Sequence, residues 1–188
     1  ELRKAGKPIN IIICKARQWG GSTYSIFKQA WICLKWKASH SFSVYAQVNG
    51  TAVSITRMLN TAFLHYNAKS LGVKGQLKMS LIPKTSEYIF RDTASNKQIR
   101  NNRIRIGSAQ EPDNLRGLPG SGVHFSEVAV WPDSPKARAE DLVKSISGGV
   151  LPRPYTMQVF ESTPKGAGNY FHRAWLSAKA GVSNFTPV

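Results

Sequence analysis

The chain alternates short, unbroken apolar runs with longer stretches whose apolar residues recur every three or four positions. The run "PINIIICKA" (8–16) predicts a buried strand, and residues 22–38 read as the helix that follows it. Phe42 to Val48, "FSVYAQV", predicts a second strand. After "NGT", the spacing of Val53, Ile55, Leu59, Ala62, Phe63 and Tyr66 predicts a second helix. Residues 71–106 break this rhythm. "EYIFR" and "KQIRNNRIRIGSA" are strand-like pieces joined by the turn residues of "DTASN", which predicts an antiparallel meander. "SGVHFSEVAVW" reads as another buried strand running into a loop. Ser134-Pro135 supplies a capping serine and a first-position proline for a helix that stops at Gly148-Gly149. "YTMQVFES" then predicts a strand and "GNYFHRAWLSAKAG" a closing helix.

Strands alternating with helices predict an α/β fold with a mainly parallel central sheet flanked by helices, plus the meander. In such sheets ligands bind beyond the carboxyl ends of the strands. The unusual loops 15–22, 126–134 and 161–167 all fall at such ends. Composition narrows the partners: 26 basic against 10 acidic residues give a net charge of +16, which favours a polyanion such as nucleic acid. At 188 residues and 41% hydrophobic, one domain over 1–188 is expected. No run of about 18 apolar residues predicts a membrane span, and "ELRKAGKPIN" lacks the apolar core of a signal peptide. Cys14 and Cys33 read as reduced core thiols.

The stretch "CKARQWGGST" joins the first strand to the first helix, where exposed backbone N–H groups and a helix N-terminus can cradle a phosphate. The usual form of such a loop ends in Gly-Lys-Ser or Gly-Lys-Thr; here it reads Gly20-Gly21-Ser22-Thr23.

Three loops in order carry a resemblance to the large subunits of bacteriophage terminases, the ATPases that pump DNA into capsids. "ARQWGGST" resembles their Arg-Gln-x-Gly-Lys-Thr loop, "NLRGLPGSGVHFSEVAVW" their Leu-Arg-Gly element and the strand ending in an acidic pair, and "FESTPKGAGNYFHRAW" their Ser-Thr-Pro motif and aromatic helix. The resemblance spans nearly the whole chain and implies a P-loop NTPase fold that uses ATP and Mg²⁺. Two positions depart from it: Gly21 stands where the lysine belongs, and Ser126 where the first acid of the pair belongs.

The resemblance assigns roles residue by residue. Arg17, Gln18, Gly20, Gly21, Ser22 and Thr23 form the ATP-binding loop, with Ser22 as the metal-ligating hydroxyl and Ser126 a weaker metal-site residue. Lys15, at the loop's entrance, is the expected substitute for the missing cation; Lys28 is the lesser alternative. Glu127 matches the catalytic glutamate. Arg116 matches an arginine finger inserted into a neighbouring subunit's site, which implies a homo-oligomeric ring. Ser162 and Thr163 match the segment coupling hydrolysis to movement, and Glu161 is a candidate polar partner beside them. Alternation sets His124 on the side opposite Glu127, as a packed histidine. Asp133 reads as a loop or helix-entry residue, and Tyr170, Phe171 and Trp175 as core.

"KQIRNNRIRI" gathers Lys97, Arg100, Arg103 and Arg105. Alternation sets Arg103 and Arg105 over an underside of Ile104 and Ile106, a weak candidate for contact with DNA or with an acidic portal protein. The ten acids form no cluster that could hold the metals of a nuclease, so the chain is expected to be the ATPase domain alone, and a fragment. The implied partners are double-stranded DNA, a portal or procapsid and a small terminase subunit. The implied location is host cytoplasm, docked on the procapsid. Two other readings stay open: a nucleotide-binding or structural module that has lost hydrolysis, and a helicase-like DNA-dependent ATPase.

Overall fold

A computed structural model describes residues 2, 4–35, 40–70, 77–82, 87–92, 102–111, 120–134 and 137–188. Its elements follow the apolar pattern. Strand β1 (Ile9–Cys14) leads into helix α1 (Gly21–Lys35), β2 (Ser41–Ala46) into α2 (Asn49–Ser70), and then come β3 (Leu77–Ile82), β4 (Glu87–Asp92), β5 (Asn102–Ser108) and β6 (Gly122–Ser126). A 3₁₀ turn at Val128–Val130 follows β6. The short strands β7 (Asp133–Ser134) and β8 (Ala137–Arg138) precede helix α3 (Ala139–Ser147), and β9 (Met157–Ser162), α4 (Tyr170–Lys179) and β10 (Thr186–Pro187) complete the chain.

Eight strands form one sheet in the order β10-β1-β9-β6-β2-β5-β4-β3. Every pair from β10 to β5 is parallel, and only β5–β4 and β4–β3 are antiparallel. The "RIRI" segment expected in the meander therefore does double duty. It pairs antiparallel with β4 and parallel with β2, joining the two parts of the sheet.

Each inner strand sends alternate residues to two cores. Ile13, Phe42, Val44, Ile104, Ile106, Met157 and Val159 pack with Ile26, Ala30 and Cys33 of α1 and Leu59 and Phe63 of α2. Ile12, Tyr45, Val123, Phe125 and Phe160 pack with Val143 and Ile146 of α3 and Phe171 of α4. Phe125 anchors this second core edge-on to both Trp131 and Phe160. Tyr170 and Trp175 pack against the same cluster, as their helical spacing predicts.

The helix expected to open at Ser134-Pro135 opens instead at Ala139. Asp133 and Ser134 are extended and pair with Arg138 and Ala137, so Ser134 caps nothing. Glu140 and Asp141 place acidic charge in the first turn of α3, where the helix dipole favours it. The stop at Gly148 is as read. Helix α4 is capped by Asn169, whose side chain accepts the His172 N–H at 3.0 Å. No helix among the described residues is long and apolar enough to cross a membrane.

Candidate functional site

Strand order brings the three unusual loops together. β9 lies between β1 and β6, and its register sets Glu161 beside Ile13 on one side and Ser126 on the other, with Ser162 beside Cys14. Lys15, Ser162 and Glu127, each at or just past the end of its strand, thus stand at one level. Parallel pairing makes this a consequence of topology and needs no special loop conformation.

The first loop leaves β1 with the Lys15 N–H bonded to the Ser162 carbonyl at 3.0 Å. Gln18 and Gly20 take left-handed backbone (φ 58° and 81°), and the Tyr24 N–H bonds back to the Gly20 carbonyl at 2.9 Å as α1 begins. Arg17, Gln18, Trp19 and Thr23 are exposed, and Ser22 is half-buried. The glycine at 21 has a spatial cause. A Cβ there would lie 3.0 Å from the Trp19 ring and 3.2 Å from Lys15 Cδ. The space that a side chain at 21 would enter is already taken by the Lys15 stem and the Trp19 ring.

The Lys15 ammonium donates to Glu127 Oε1 at 2.6 Å and lies 3.1 Å from Glu161 Oε2, with 6% of its side chain exposed. Burial works against its charge, but Glu127 and then Glu161 outweigh that and hold its pKa above the ordinary value. Lys28, the alternative cation, lies over the Trp31 ring at 4.2 Å.

Glu127 ends β6 in the left-handed region (φ 57°, ψ 46°), an uncommon conformation for a residue with a side chain. The turn is held in place by neighbours. Ser162 Oγ accepts the Ala129 N–H at 3.0 Å, and Trp131 Nε1 donates to the Ser126 carbonyl at 2.9 Å. Glu127 Oε2 accepts the Thr163 N–H at 3.1 Å and lies 3.4 Å from Ser162 Oγ. Ser162 therefore links the Glu127 turn to the Ser-Thr-Pro segment. Glu127, with Arg17, Gln18, Gln47, Thr163 and Lys165, borders a cleft of about 440 Å³.

Glu161, expected only as a polar partner, is the centre of the site. It is fully buried. Its Oε1 accepts Ser22 Oγ at 2.7 Å and Ser126 Oγ at 2.6 Å, and His124 Nε2 lies 3.4 Å away. Burial pushes its carboxyl up, but His124, Ser126 and Ser22 outweigh burial and hold it at about 2. Oε2 faces Lys15 at 3.1 Å without the alignment of a hydrogen bond. His124 is fully buried, as a packed histidine is expected to be, and it lies against Glu161 in this cluster. The Lys15 ammonium is thus shared between two carboxylates. The sequence signal for Glu161 is an acid directly after the apolar pair Val159-Phe160, in a chain with only ten acids.

The remaining candidates fall elsewhere. Arg103 and Arg105 lie over the Ile104–Ile106 underside as read, and both meet the buried Glu87, at 3.3 and 2.9 Å. Asp133 belongs to the β7–β8 pair, 3.9 Å from Arg173. Lys97, Arg100 and Arg116 lie outside the described residues. Among the described residues no three His, Cys, Asp or Glu side chains form a metal-binding group.

Neither protein-family models nor curated proteins match the sequence. Solved structures match the fold. The ATPase domain of the large terminase of Thermus phage P74-26 aligns with a TM-score of 0.62 at 21% identity, covering 88% of this chain and 63% of that one. The large terminase of a thermophilic bacteriophage in complex with ADP aligns with a TM-score of 0.62 at 17% identity, covering 99% and 40%. The HK97 bacteriophage large terminase aligns with a TM-score of 0.66 at 14% identity, covering 97% and 35%. The chain therefore spans from about one third to under two thirds of the length of these structures, and shares the fold of phage large terminase ATPase domains.

Proposed function

We propose that this chain is the ATPase domain of a viral DNA-packaging motor, a terminase large subunit that couples ATP hydrolysis to movement of double-stranded DNA into a procapsid. The observation that carries this reading is the convergence of Lys15, Glu127, Glu161 and Ser162 at the carboxyl ends of three adjacent parallel strands. They stand beside a Gly-containing loop that opens a helix. The likeness to large terminase ATPase domains, one of them in complex with ADP, supports it.

In this reading the N–H groups around Gly20 and the N-terminus of α1 hold the phosphates, and the exposed Arg17 and Gln18 reach the nucleotide from the loop. Mg²⁺ fits the oxygen donors here, because it takes few protein ligands and completes its shell with phosphate and water. Ser22, with Ser126 as the weaker candidate, would hold it, and it would supply charge neutralisation on the transferring phosphoryl group. Lys15 exchanges Glu127 for a phosphate oxygen, which frees Glu127 Oε1 to take the proton of the attacking water. Ser162 and Thr163 both contact Glu127, and Thr163 borders the cleft, so they transmit the change to the loop that follows β9.

Arg116 acts in trans on the neighbouring subunit's nucleotide, which requires a ring. The net charge of +16 suits a DNA partner. A portal or procapsid and a small terminase subunit complete the assembly in the host cytoplasm. One observation favours a second reading, a nucleotide-binding module without turnover: the 2.6 Å Lys15–Glu127 pair occupies both the cation and the base.

Calorimetry with a non-hydrolysable ATP analogue, followed by turnover with and without duplex DNA under ring-forming conditions, separates these. Binding with DNA-stimulated turnover supports the motor. Binding without turnover in assembled rings selects the module, and no binding with or without Mg²⁺ removes both.

A further inference from the structure

We infer that Glu161, delivered from the neighbouring strand, carries the anionic charge that holds the nucleotide's divalent cation, replacing the carboxylate absent at Ser126. This rests on the nucleotide-binding reading above.

The replacement follows from register. Ser126 and Glu161 are directly paired positions of β6 and β9, so their backbones stand about 4.8 Å apart. Both side chains point to the α1 side of the sheet: Glu161 shares the parity of Met157 and Val159, and Ser126 that of Gly122, whose added Cβ would meet the Phe42 ring. A carboxylate moved from 126 to 161 therefore shifts sideways by one strand and keeps its level and its face. The longer Glu side chain, with one methylene more than Asp, then reaches the hydroxyl of Ser22 in the first turn of α1.

The hydrogen bonds show which atoms remain available. Ser22 and Ser126 each direct a hydroxyl proton onto Glu161 Oε1. With its proton so placed, the Ser22 oxygen keeps its lone pairs free for a cation, and its half-buried position opens towards the loop. Glu161 Oε2 is fully buried and receives no aligned hydrogen bond, and its near neighbour is the Lys15 ammonium. When Lys15 turns to the phosphate, Oε2 loses the ammonium that faces it, and a divalent cation would take that place. Ser126 is then a positioning residue that fixes the carboxylate's orientation. A buried ionised carboxylate is costly unless it serves charge pairing or a metal; Oε1 is served by Ser22, Ser126 and His124, whereas Oε2 has only the Lys15 ammonium that it shares with Glu127.

Mn²⁺ is the probe, followed by its electron paramagnetic resonance signal in the presence of a non-hydrolysable ATP analogue, with analogue binding in EDTA measured in parallel on the full 188-residue chain. Glu161→Gln is expected to weaken Mn²⁺ retention at least tenfold while changing metal-free analogue binding by less than threefold. Ser22→Ala, which leaves the buried carboxylate in place, is expected to lower the metal-dependent part in the same direction, and it serves if Glu161→Gln fails to fold. Glu161→Ser combined with Ser126→Asp, which returns the carboxylate across the register pair, is expected to recover most of the lost Mn²⁺ affinity. Wild-type Mn²⁺ affinity in folded Glu161→Gln overturns the inference and leaves nucleotide binding intact. Absence of analogue binding by the wild-type chain in both conditions overturns the nucleotide reading itself.

Discussion

Lys15 Nζ and Glu127 Oε1 meet at 2.6 Å across 112 positions of sequence, joining the loop after β1 to the turn after β6. The pair holds two strand ends that have no direct hydrogen-bonded register, since β9 lies between them. Removing the ammonium leaves Oε2 of the fully buried Glu161 without the cation that faces it. Lys15→Ala should therefore lower folding stability by about 1–3 kcal/mol and weaken ATP-analogue binding by roughly tenfold or more, the value of one charge-assisted phosphate contact. Chemical denaturation and calorimetry on the same preparation check both. Wild-type affinity would take Lys15 out of the phosphate site and leave it a structural cation.

Glu127 keeps 29% of its side chain exposed and borders the cleft, whereas the Glu161 side chain is buried and does not line it. Only the former can meet a water molecule in the cleft. Glu127→Gln retains the shape and can still accept the Thr163 N–H, so analogue binding should stay within a few-fold of wild type. Turnover should fall by about 10²–10⁴, the usual contribution of a general base. Single-turnover hydrolysis in assembled rings measures this directly; unchanged rates would reassign the base.

Gly21 has ordinary backbone, so what a side chain meets there decides its tolerance. A Cβ contacts the Trp19 ring and the Lys15 stem, and Trp19 is 64% exposed and able to move. Gly21→Ala should leave the melting temperature within a few degrees while displacing Lys15 and weakening the analogue several-fold. Gly21→Ala in a Lys15→Ala background should then cost little more, because the two changes act on one contact. Additive losses in that double-mutant cycle would separate position 21 from Lys15.

The parallel part of the sheet was legible because apolar runs such as "INIIIC" and "GVHF" alternate with helical spacing, and burial on both faces leaves no competing pattern. The meander ending in "RIRI" is present as expected; its further parallel partner and the start of α3 depend on pairing, which local sequence does not encode. "RIRI" has the same alternation whether its neighbours are parallel or antiparallel, and Ser134-Pro135 satisfies a helix cap while Asp133 and Ser134 in fact pair with β8. At the candidate site, motif order singles out Lys15, Ser22, Glu127 and Ser162, which the structure brings together. Glu161 was undervalued because its importance comes from lying between β1 and β6, a fact of strand order and not of spacing.

That strand order is itself sensitive at Gly122. A Cβ at this position would lie 2.5 Å from the Met157 carbonyl oxygen and 2.9 Å from two Phe42 ring atoms. Met157 is the register partner of Gly122, so the clash falls on the backbone that also sets Glu161 beside Ser126 four residues on. Neither a strand buried between two others nor a ring 1% exposed in the core can yield cheaply. Gly122→Ala should destabilise the fold by about 1–3 kcal/mol and also weaken the metal-dependent part of analogue binding, through misaligned strand ends. Gly148→Ala provides the comparison. That glycine ends α3 with φ −59°, and its nearest contacts would be 3.5 Å away. There a methyl group should be neutral or stabilising by up to about 1 kcal/mol. Equal melting temperatures for the two variants would mean that β6 and β9 can separate at this level, and the tight register between Ser126 and Glu161 would then need another source.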